Sequence, residues 1–375
     1  MAACRWRSAA LQSPGAGHGS EVPPEELLAR IQDFIKEFLS HIKDRSILVI
    51  SLDKFRMRRL RSSEDTNLGI FERCEAQERL SLQTSGRRIL AMLRVLQIVQ
   101  SLLQQGKHAS KRDLYYTDPG LFKDQATVNQ ALTDISVRLK CTRSSLHVVS
   151  VGKGLIMGSL RFKDADRTID CSVCKSRGYP IPTDAKMVTD IRSCAEYIIV
   201  VEKETVFQRL ANDGFCRKNN CIVLTGRGYP DVATRSFLRL LAAETNLPVY
   251  GLVDADPYGL DILATYRFGS LTMAYDAEAL ATPSIRWLGV FLSDCQTHNV
   301  PDRCLLPLTN DDRRKAEAML NRDYLEHLAF SWNQQLRLML EKGVKLELEA
   351  LSASKFSALA DDYIPHKIKA AAYLC

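Results

Sequence analysis

Residues 249–259 read VYGLVDADPYG, in which an apolar run ends at two aspartates, Asp254 and Asp256. Side chains alternate along an extended chain, so a single spacer residue allows both carboxylates to point to the same side. Carboxylates that follow a buried strand are costly unless a cation neutralises them. The stretch therefore predicts a cation site, and a polar turn that leaves the strand is the alternative.

A calcium-binding loop is the nearest competing motif, and the sequence does not fit it. That loop has the form D-x-[DN]-x-[DN]-G with a glutamate at its twelfth position. Gly259 matches the sixth position, but Tyr258 stands at the fifth and Thr265 at the twelfth. The two aspartates must therefore be interpreted together with the rest of the chain.

Strand and helix patterns alternate in the region that leads to this stretch. Predicted strands cover residues 195–201, 221–225 and 249–253, and predicted helices cover residues 205–212 and 232–245. This β-α-β-α-β alternation is typical of a parallel sheet with helices on its faces. In such sheets, ligands bind at the carboxyl ends of the strands.

Polar segments follow each of these strands. Glu202 comes after the first strand, residues 226–228 (Gly-Arg-Gly) after the second, and Asp254 and Asp256 after the third. Mg²⁺ binds a few carboxylates and leaves positions for water and phosphate, so acids from two strand ends predict a magnesium site. The alternative is that Glu202 pairs with the adjacent Lys203 in solvent.

The preceding region has helical patterns and then extended runs. Helical periodicity covers residues 87–105 and 128–139, and a capping box at residues 110–113 opens a short helix between them. Extended runs at residues 146–151 and 155–158 flank a Gly-Lys-Gly turn and predict a β-hairpin. Three helices followed by a hairpin is the order of a winged helix-turn-helix, which docks a helix on duplex DNA. A generic helical domain is the alternative.

Composition is typical of a globular protein long enough for two domains. The 375 residues include 51 Lys and Arg against 44 Asp and Glu, a net charge of +7 that permits a polyanionic partner without requiring one. No apolar run approaches the roughly 20 residues of a membrane span, so no membrane partner is expected. Eleven cysteines, an odd number, favour reduced thiols over a disulfide framework.

The domain organisation follows from these patterns. Residues 1–24 are rich in Ala, Ser, Gly and Pro and are predicted to be disordered, although their lack of acids also resembles a transit peptide. Residues 25–84 are predicted to form a helical extension that contains a basic cluster at residues 54–61. Residues 85–180 are assigned to the winged-helix domain, and residues 181–375 to the domain with the parallel sheet and C-terminal helices.

Phosphodiester chemistry beside a magnesium site would need a nucleophile, and residues 111–118 (KRDLYYTD) contain the candidates. A tyrosine hydroxyl has a pKa near ~10, so it attacks phosphorus only where a base or a positive field assists. Arg112 lies four residues before Tyr116 and three before Tyr115, so helical spacing does not choose between the tyrosines. Simple packing with the hydroxyl at the surface is the alternative for either one.

Four motifs occur in an order that resembles that of the topoisomerase VI A protein, which cleaves DNA. The eukaryotic meiotic relatives of that protein have the same order. The motifs lie at residues 112–116, 201–204, 225–231 and 253–259. The resemblance covers roughly residues 85 to 370 and is closer to the meiotic members, of plant type. It implies a winged-helix (CAP-like) DNA-binding domain followed by a Toprim domain, whose parallel sheet is flanked by helices.

The resemblance also implies roles for individual residues. These are the nucleophile Tyr116 with its supporting Arg112, the Mg²⁺ ligands Glu202, Asp254 and Asp256, and the DNA contact Lys153. Lys111 and Arg227 are further expected DNA contacts, and the assignment of Arg227 beside the metal does not come from the family.

The implied reaction takes place on double-stranded DNA bound by a homodimer. The tyrosine of one protomer meets the metal site of the other, and each protomer cuts one strand and stays joined to a 5′ end. This is a transesterification of the type IIB topoisomerase kind, an isomerase chemistry, and not a hydrolysis. The chain has no G-x-x-x-x-G-K-[ST] loop, and a separate topoisomerase VI B-like subunit is the implied ATPase partner.

The function implied is nuclear and meiotic: formation of the double-strand breaks that initiate recombination, with other break-forming accessory proteins as partners. Two alternatives belong to other classes. One is a Toprim nuclease, a primase-like enzyme or a topoisomerase A protein that acts outside meiosis. The other is a catalytically silent DNA-binding scaffold.

Overall fold

Two hydrophobic cores organise the part of the chain that can be described. The computed structural model describes residues 7–8, 22–44, 48–60, 68–149, 152–173, 177–322, 324–325, 329–353 and 355–375. Within these ranges, no helix is both long enough and apolar enough to cross a lipid bilayer.

The secondary structure alternates between short strands and helices. The strands are β1 (Arg7–Ser8), β2 (Val49–Leu60), β3 (Leu68–Ser81), β4 (Ala109–Ser110), β5 (Val148–Val149), β6 (Leu155–Gly158), β7 (Leu160–Asp164), β8 (Arg167–Asp170), β9 (Tyr179–Pro180), β10 (Val188–Ser193), β11 (Ile198–Val201), β12 (Ile222–Thr225), β13 (Val249–Leu252), β14 (Arg286–Gly289), β15 (Leu305–Pro307) and β16 (Val344–Leu346). The α-helices are α1 (Pro24–Lys43), α2 (Leu82–Gln105), α3 (Lys111–Thr117), α4 (Pro119–Phe122), α5 (Gln125–Leu139), α6 (Glu204–Asn212), α7 (Phe215–Asn219), α8 (Val232–Thr245), α9 (Pro257–Phe268), α10 (Ala277–Leu280), α11 (Asp294–Thr297), α12 (Asn310–Leu320), α13 (Phe330–Lys342) and α14 (Ile364–Lys369).

A six-stranded sheet forms the larger core. Its strand order is β14-β13-β11-β12-β6-β9, and the four strands from β14 to β12 run parallel. Every residue of β11, β12 and β13 is buried, because helices cover a parallel sheet on both faces. Apolar residues of α6, α8 and α9 belong to the same core. The predicted parallel sheet flanked by helices is confirmed.

A smaller core joins the helices that precede the sheet. It is built from apolar residues of α1, α2, α3, α4 and α5 together with strands β2 and β3. The predicted helices are confirmed: Gly106 ends α2 in the left-handed conformation, and Ser110 and Asp113 form the expected capping box of α3. The winged-helix assignment itself stays a prediction.

The expectation of a helical extension over residues 25–84 is wrong for its second half. Strands β2 and β3 pair as a long antiparallel hairpin, and the predicted basic cluster falls largely on β2. Ile50, Leu52 and Leu80 are buried, which is the two-residue alternation of a strand with one face on a core. Helical structure in this extension is found in α1 and at the start of α2.

In the described residues, the two strands of the predicted hairpin around the Gly-Lys-Gly turn do not pair with each other. Strand β5 pairs in parallel with β4, whereas β6 pairs antiparallel with β12 inside the large sheet. All four residues of β6 are buried, and this suits a sheet interior better than an exposed wing. The large sheet therefore extends across the domain boundary that was predicted at residue 180.

Two further expectations concern the N-terminus and the cysteines. The predicted disorder of residues 1–24 lies outside the described residues, apart from residues 22–24 and from β1, which pairs with β10. Eight described cysteines are free, as expected for reduced thiols. Cys194 is disulfide-bonded, so the expectation is wrong at that residue.

Arg88 is predicted to hold the β2–β3 hairpin onto the helices. It pairs with Glu78 at 2.7 Å and with Asp134, which is 2% exposed, at 2.8 Å. Replacing Arg88 by Met leaves Asp134 buried without its cation, and we expect a loss of about 3 kcal/mol in unfolding free energy. Urea denaturation of the whole chain measures it. Arg161→Met, which removes an exposed pair with Asp170, is the control and should change the midpoint little.

Candidate active site

The carboxyl ends of three neighbouring strands meet at one edge of the large sheet. Val201 of β11 lies opposite Leu252 of β13, so the residues that follow them, Glu202 and then Asp254, reach the same edge. The Glu202 carboxylate accepts a hydrogen bond from the backbone N–H of Asp254 at 3.0 Å. On the other side, the backbone N–H of Gly228 donates to the Glu202 carbonyl at 2.9 Å. The polar segments that the sequence placed at strand ends therefore lie together.

A close approach at Gly259 packs the acids against the start of α9. A Cβ atom at this position would lie 2.9 Å from the Glu202 carboxylate and 2.6 Å from the Asp254 carbonyl oxygen. Asp256 caps the same helix, because its carboxylate accepts the Gly259 N–H at 2.6 Å. Glycine at position 259 thus allows Glu202 and the aspartate loop to share one small space.

The Asp254 side chain is 3% exposed and each of its oxygens has a partner. One oxygen accepts the Leu348 N–H at 2.9 Å, and the other lies 2.9 Å from the ammonium of Lys203. Lys203 is also paired with Glu347 at 3.3 Å and with Glu349 at 3.1 Å. One lysine therefore serves three carboxylates, and two of them come from the C-terminal part of the chain.

Negative charge is costly for the buried acids of this edge, even with Lys203 beside them. Burial, and next the charge of Asp254, raise the pKa of Glu202 to about 8. Burial raises the pKa of Asp254 to about 6 and also raises that of Asp256. Burial lowers the pKa of Lys203, but the hydrogen bonds and charges of Asp254 and Glu349 together outweigh burial and raise that pKa. Such a site favours a further cation.

Carboxylate oxygens are also the ligands that Mg²⁺ prefers, so the chemistry of the donors fits this metal. The geometry is less complete. Among the described residues, no three Asp, Glu, His or Cys side chains form a group already arranged to hold one ion. Asp254 directs its oxygens to Lys203 and Leu348, and Asp256 directs one oxygen to Gly259.

The C-terminal segment packs on the sheet edge. Ala255 and Leu346 exchange backbone hydrogen bonds of 2.8 and 3.2 Å, which joins the aspartate loop to β16. Leu346 and Leu348 are fully buried in the large core. The segment thereby presents the Leu348 N–H to Asp254 and covers the acids from one side.

Solvent exposure distinguishes the two tyrosines of α3. Tyr116 is 61% exposed, whereas Tyr115 is half-buried and its hydroxyl donates to the Lys123 carbonyl at 3.4 Å. The Arg112 guanidinium carbon lies 6.0 Å from the centroid of the Tyr116 ring. Of the two tyrosines that spacing left open, Tyr116 is therefore the one whose hydroxyl is accessible beside a cation.

The chain does not bring its tyrosine and its acids together. Within the described residues, no hydrogen bond, ion pair or ring contact links Tyr116 or Arg112 to Glu202, Asp254 or Asp256. In one copy of the described chain, the two halves of the predicted site therefore make no contact with each other.

Two expected DNA contacts lie side by side next to the acids. The Lys153 ammonium donates to the Arg227 carbonyl at 3.2 Å, and the Lys153 backbone N–H donates to Asp231 at 2.7 Å. The Arg227 guanidinium pairs with Glu204 at 3.0 Å. Both side chains belong to loops that leave the sheet at the same edge as Glu202, so positive charge borders the acids.

Sequence reasoning missed a second network on α9. The Asp261 carboxylate accepts from the Tyr229 hydroxyl and from the Lys315 ammonium, both at 2.6 Å, and also pairs with Arg322. The Lys315 ammonium lies 5.9 Å and 5.7 Å from the ring centroids of Tyr229 and Tyr258. Two partly exposed aromatic rings are thus fixed next to the loops that carry Arg227 and Asp256.

Comparison with known proteins supports the family inferred from the four motifs. The family model for the Toprim domain of topoisomerase 6 A proteins and Spo11 matches residues 197–368, and the model for type IIB DNA topoisomerase matches residues 87–148. The Arabidopsis thaliana "Meiotic recombination protein SPO11-1" is 50% identical over 345 residues, which are 92% of this chain and 95% of that protein. The chain belongs to the family of Spo11 and the topoisomerase 6 A proteins.

Other members of the family are similar over most of the chain. The Oryza sativa subsp. indica "Meiotic recombination protein SPO11-1" is 56% identical over 282 residues, covering 75% of this chain and 74% of that protein. The A protein of Arabidopsis thaliana DNA topoisomerase 6 is 41% identical over 286 residues, covering 76% and 67%. The Toprim match confirms the predicted class of the second domain.

In the described part of the chain, Lys203 does not form the solvent-exposed pair with Glu202 that the sequence left as the alternative to a magnesium site. Its adjacency to Glu202 suggested a pair between the two in solvent, and the structure pairs it with Asp254 and with two distant glutamates. The sequence held one signal for the pairing of Lys203 with Asp254. Acids that cluster after a buried strand repel one another and require a cation close by. The C-terminal partners had no local signal.

Replacing Lys203 by Met should destabilise the metal-free protein. Asp254 would stay buried without its ammonium partner, and we expect a loss of about 3 kcal/mol in unfolding free energy. Urea unfolding in a chelating buffer measures this loss. Lys218→Met, which removes an exposed pair with Asp361, should leave the midpoint nearly unchanged. Equal midpoints for both variants would show that Lys203 does not neutralise Asp254.

Proposed function

We propose that this chain forms the DNA double-strand breaks that initiate meiotic recombination, by Mg²⁺-dependent transesterification in the nucleus. The observation that carries the proposal is the division of one catalytic set into an accessible Tyr116 beside Arg112 and a separate group of buried acids where negative charge is costly. Membership of the family supports it, since relatives similar over most of their length are named meiotic recombination proteins.

Tyr116 is the proposed nucleophile. Its hydroxyl oxygen attacks a DNA phosphorus and forms a 5′-phosphotyrosyl ester, while the bond to the 3′ oxygen breaks and that oxygen takes up a proton. One phosphoester replaces another, so no ATP is consumed in this step. Arg112, next to the Tyr116 ring, would donate charge-assisted hydrogen bonds to the phosphate and stabilise the phenolate that forms.

Glu202, Asp254 and Asp256 are the proposed metal ligands. When bound, Mg²⁺ supplies positive charge that neutralises the phosphate oxygens. The protein's part is to hold three carboxylates at a buried strand edge and to exclude water behind them with the C-terminal segment. Lys203 would keep Asp254 oriented through its pairs with Glu347 and Glu349.

A homodimer on double-stranded DNA would complete the site. The absence of contact between Tyr116 and the acids in the described chain, and the exposure of Tyr116, suit a tyrosine that serves the acids of a second protomer. We assign a winged-helix (CAP-like) role to the helices around α3, and phosphate contacts to Lys111, Lys153 and Arg227. A B-like subunit that binds ATP and other break-forming proteins are the proposed further partners.

Replacing Tyr116 by Phe should abolish covalent protein–DNA complexes. Phenylalanine keeps the ring and its contact with Arg112 but removes the attacking oxygen. Complexes are measured by immunoprecipitation of the chain from meiotic cells and detection of attached DNA ends. Tyr115→Phe is the matched control and should keep them, because the Tyr115 hydroxyl bonds to the protein itself. Breaks that persist without Tyr116 would indicate a hydrolytic Toprim nuclease instead.

Mg²⁺ should stabilise the chain through the three acids. At a metal concentration 100 times the dissociation constant, we expect about 2.7 kcal/mol of added stability from binding. Glu202→Gln and Asp256→Asn should each remove most of this gain and abolish breakage. Glu196→Gln is the control, because Glu196 lies near the opposite end of β11. Thermal unfolding with and without Mg²⁺ is the measurement, and an unchanged gain in Glu202→Gln would exclude this metal site.

A further inference from the structure

A cavity of about 200 Å³ lies where the helical unit meets the sheet unit. Its walls come from the start of α1, from the residues around α3 and β5, and from the segment before β10 together with the first turn of α8. It is distinct from the acidic strand edge, since neither Glu202 nor the aspartates of that edge line it. Of the residues that line this cavity, the function proposed above uses only Lys111, as a phosphate contact.

Positive charge dominates the walls. The charged and imidazole side chains that line the cavity are Lys111, Arg143, Lys186, His108, His147 and Asp184. The aspartate is already engaged, because its carboxylate accepts the backbone N–H of Lys186 at 3.0 Å. Three cations and two imidazoles therefore face the cavity with a single acid among them.

Hydrogen bonds fix Arg143 in the wall of the cavity. It is 6% exposed, and its guanidinium donates to the Thr133 hydroxyl at 3.0 Å, to the Asn129 carbonyl at 3.2 Å and to the Tyr275 hydroxyl at 3.2 Å. All three partners are neutral. Asp276 is buried, which raises the pKa of its carboxyl, and it lies near Arg143, Lys186 and Arg235, but within the described residues it makes no ion pair with the Arg143 guanidinium. A buried cation held in this way is ready to bind an anion.

Lys111 differs from Arg143, because its charged group has no partner in the described part of the chain. Within the described residues, its ammonium makes no hydrogen bond and no ion pair. Burial, and next the charge of Arg143, lower the pKa of Lys111. Lys111 and Arg143 therefore lie close enough for their charges to interact, and the charge of Asp231 acts on Lys111 without forming an ion pair with it.

Two imidazoles complete the wall on one side. The rings of His108 and His147 are stacked with centroids 4.3 Å apart and planes 13° apart. The Nδ1 atom of His147 lies 3.1 Å from the Lys107 carbonyl oxygen, which fixes that ring. Stacked rings of this kind present further N–H groups without adding negative charge.

We propose that this cavity binds a phosphate group, supplied either by the DNA backbone or by free inorganic phosphate. Its volume is below the roughly 300–1,000 Å³ of sites for drug-sized ligands, which suits a phosphate and not a whole nucleotide. Charge-assisted hydrogen bonds from lysine and arginine are strong and favour tetrahedral oxyanions. The proposal does not require that Tyr116 be a nucleophile.

A bound phosphate would join the two units of the chain. Lys111 begins α3, which carries Tyr116, whereas the first turn of α8 forms the facing wall and is capped by Asp231. Asp231 also accepts the backbone N–H of Lys153. Occupation of the cavity therefore fixes the tyrosine helix relative to the loops that border the acids.

The test is binding of inorganic phosphate to the whole chain, by calorimetry and thermal unfolding at constant ionic strength with chloride as the comparison ion. Wild type should bind phosphate and gain stability, and Lys111→Gln should weaken binding at least about tenfold, as expected for loss of one charge-assisted hydrogen bond. Lys186→Glu should weaken it as well, and this exposed position can change charge without disturbing a core. Lys163→Glu, an exposed charge reversal on β7, is the matched control.

A second measurement separates the two sources of phosphate. If the cavity takes a phosphate of DNA, free phosphate competes with a short duplex, and Lys111→Gln lowers the salt dependence of DNA binding by about one unit of slope. If it takes free phosphate, the duplex affinity is the same with and without phosphate. The proposal fails if phosphate does not stabilise wild type and Lys186→Glu binds the duplex as Lys163→Glu does. Neither readout depends on cleavage, so failure here leaves the proposed cleavage reaction standing.

Discussion

The ion pair between Lys203 and the nearly fully buried Asp254 is the interaction on which the acidic edge depends. Parallel strands deliver Glu202 and Asp254 to one place, and their burial makes negative charge costly there. Lys203 offsets part of that cost and is itself held by Glu347 and Glu349. These charged groups are confined to a small space by three features: the sheet, the close packing at Gly259 and the C-terminal segment.

The acidic and tyrosine groups differ in their solvent accessibility. Acids that must repel one another are buried and supported from several elements, whereas Tyr116 projects from a short capped helix into solvent. The cationic groups follow the same division, since Lys153 and Arg227 border the acids and Lys111 and Arg143 line the cavity between the units. The rigid acidic charges are thus inside the protein, and the proposed nucleophile is outside.

Much of this arrangement could be predicted from local sequence. Buried strands such as β11 and β12 are continuous apolar runs, the capping box at Ser110 marks α3, and polar residues at strand ends mark the site. Errors arose where pairing is non-local. Strand β6 lies beside a turn that suggests a hairpin, yet its partner β12 follows more than sixty residues later. No local pattern announced the partners of Lys203, because they stand near the C-terminus.

The C-terminal cover over the acids has a consequence for how the protein is made. Asp254 and the Leu348 amide that binds it are 94 residues apart, and synthesis proceeds from the amino end. A nascent chain, or one that stops early, has the carboxylates but lacks the strand and amide that organise them. Order at the acidic edge thereby depends on a segment that is synthesised long after the strands that carry the acids.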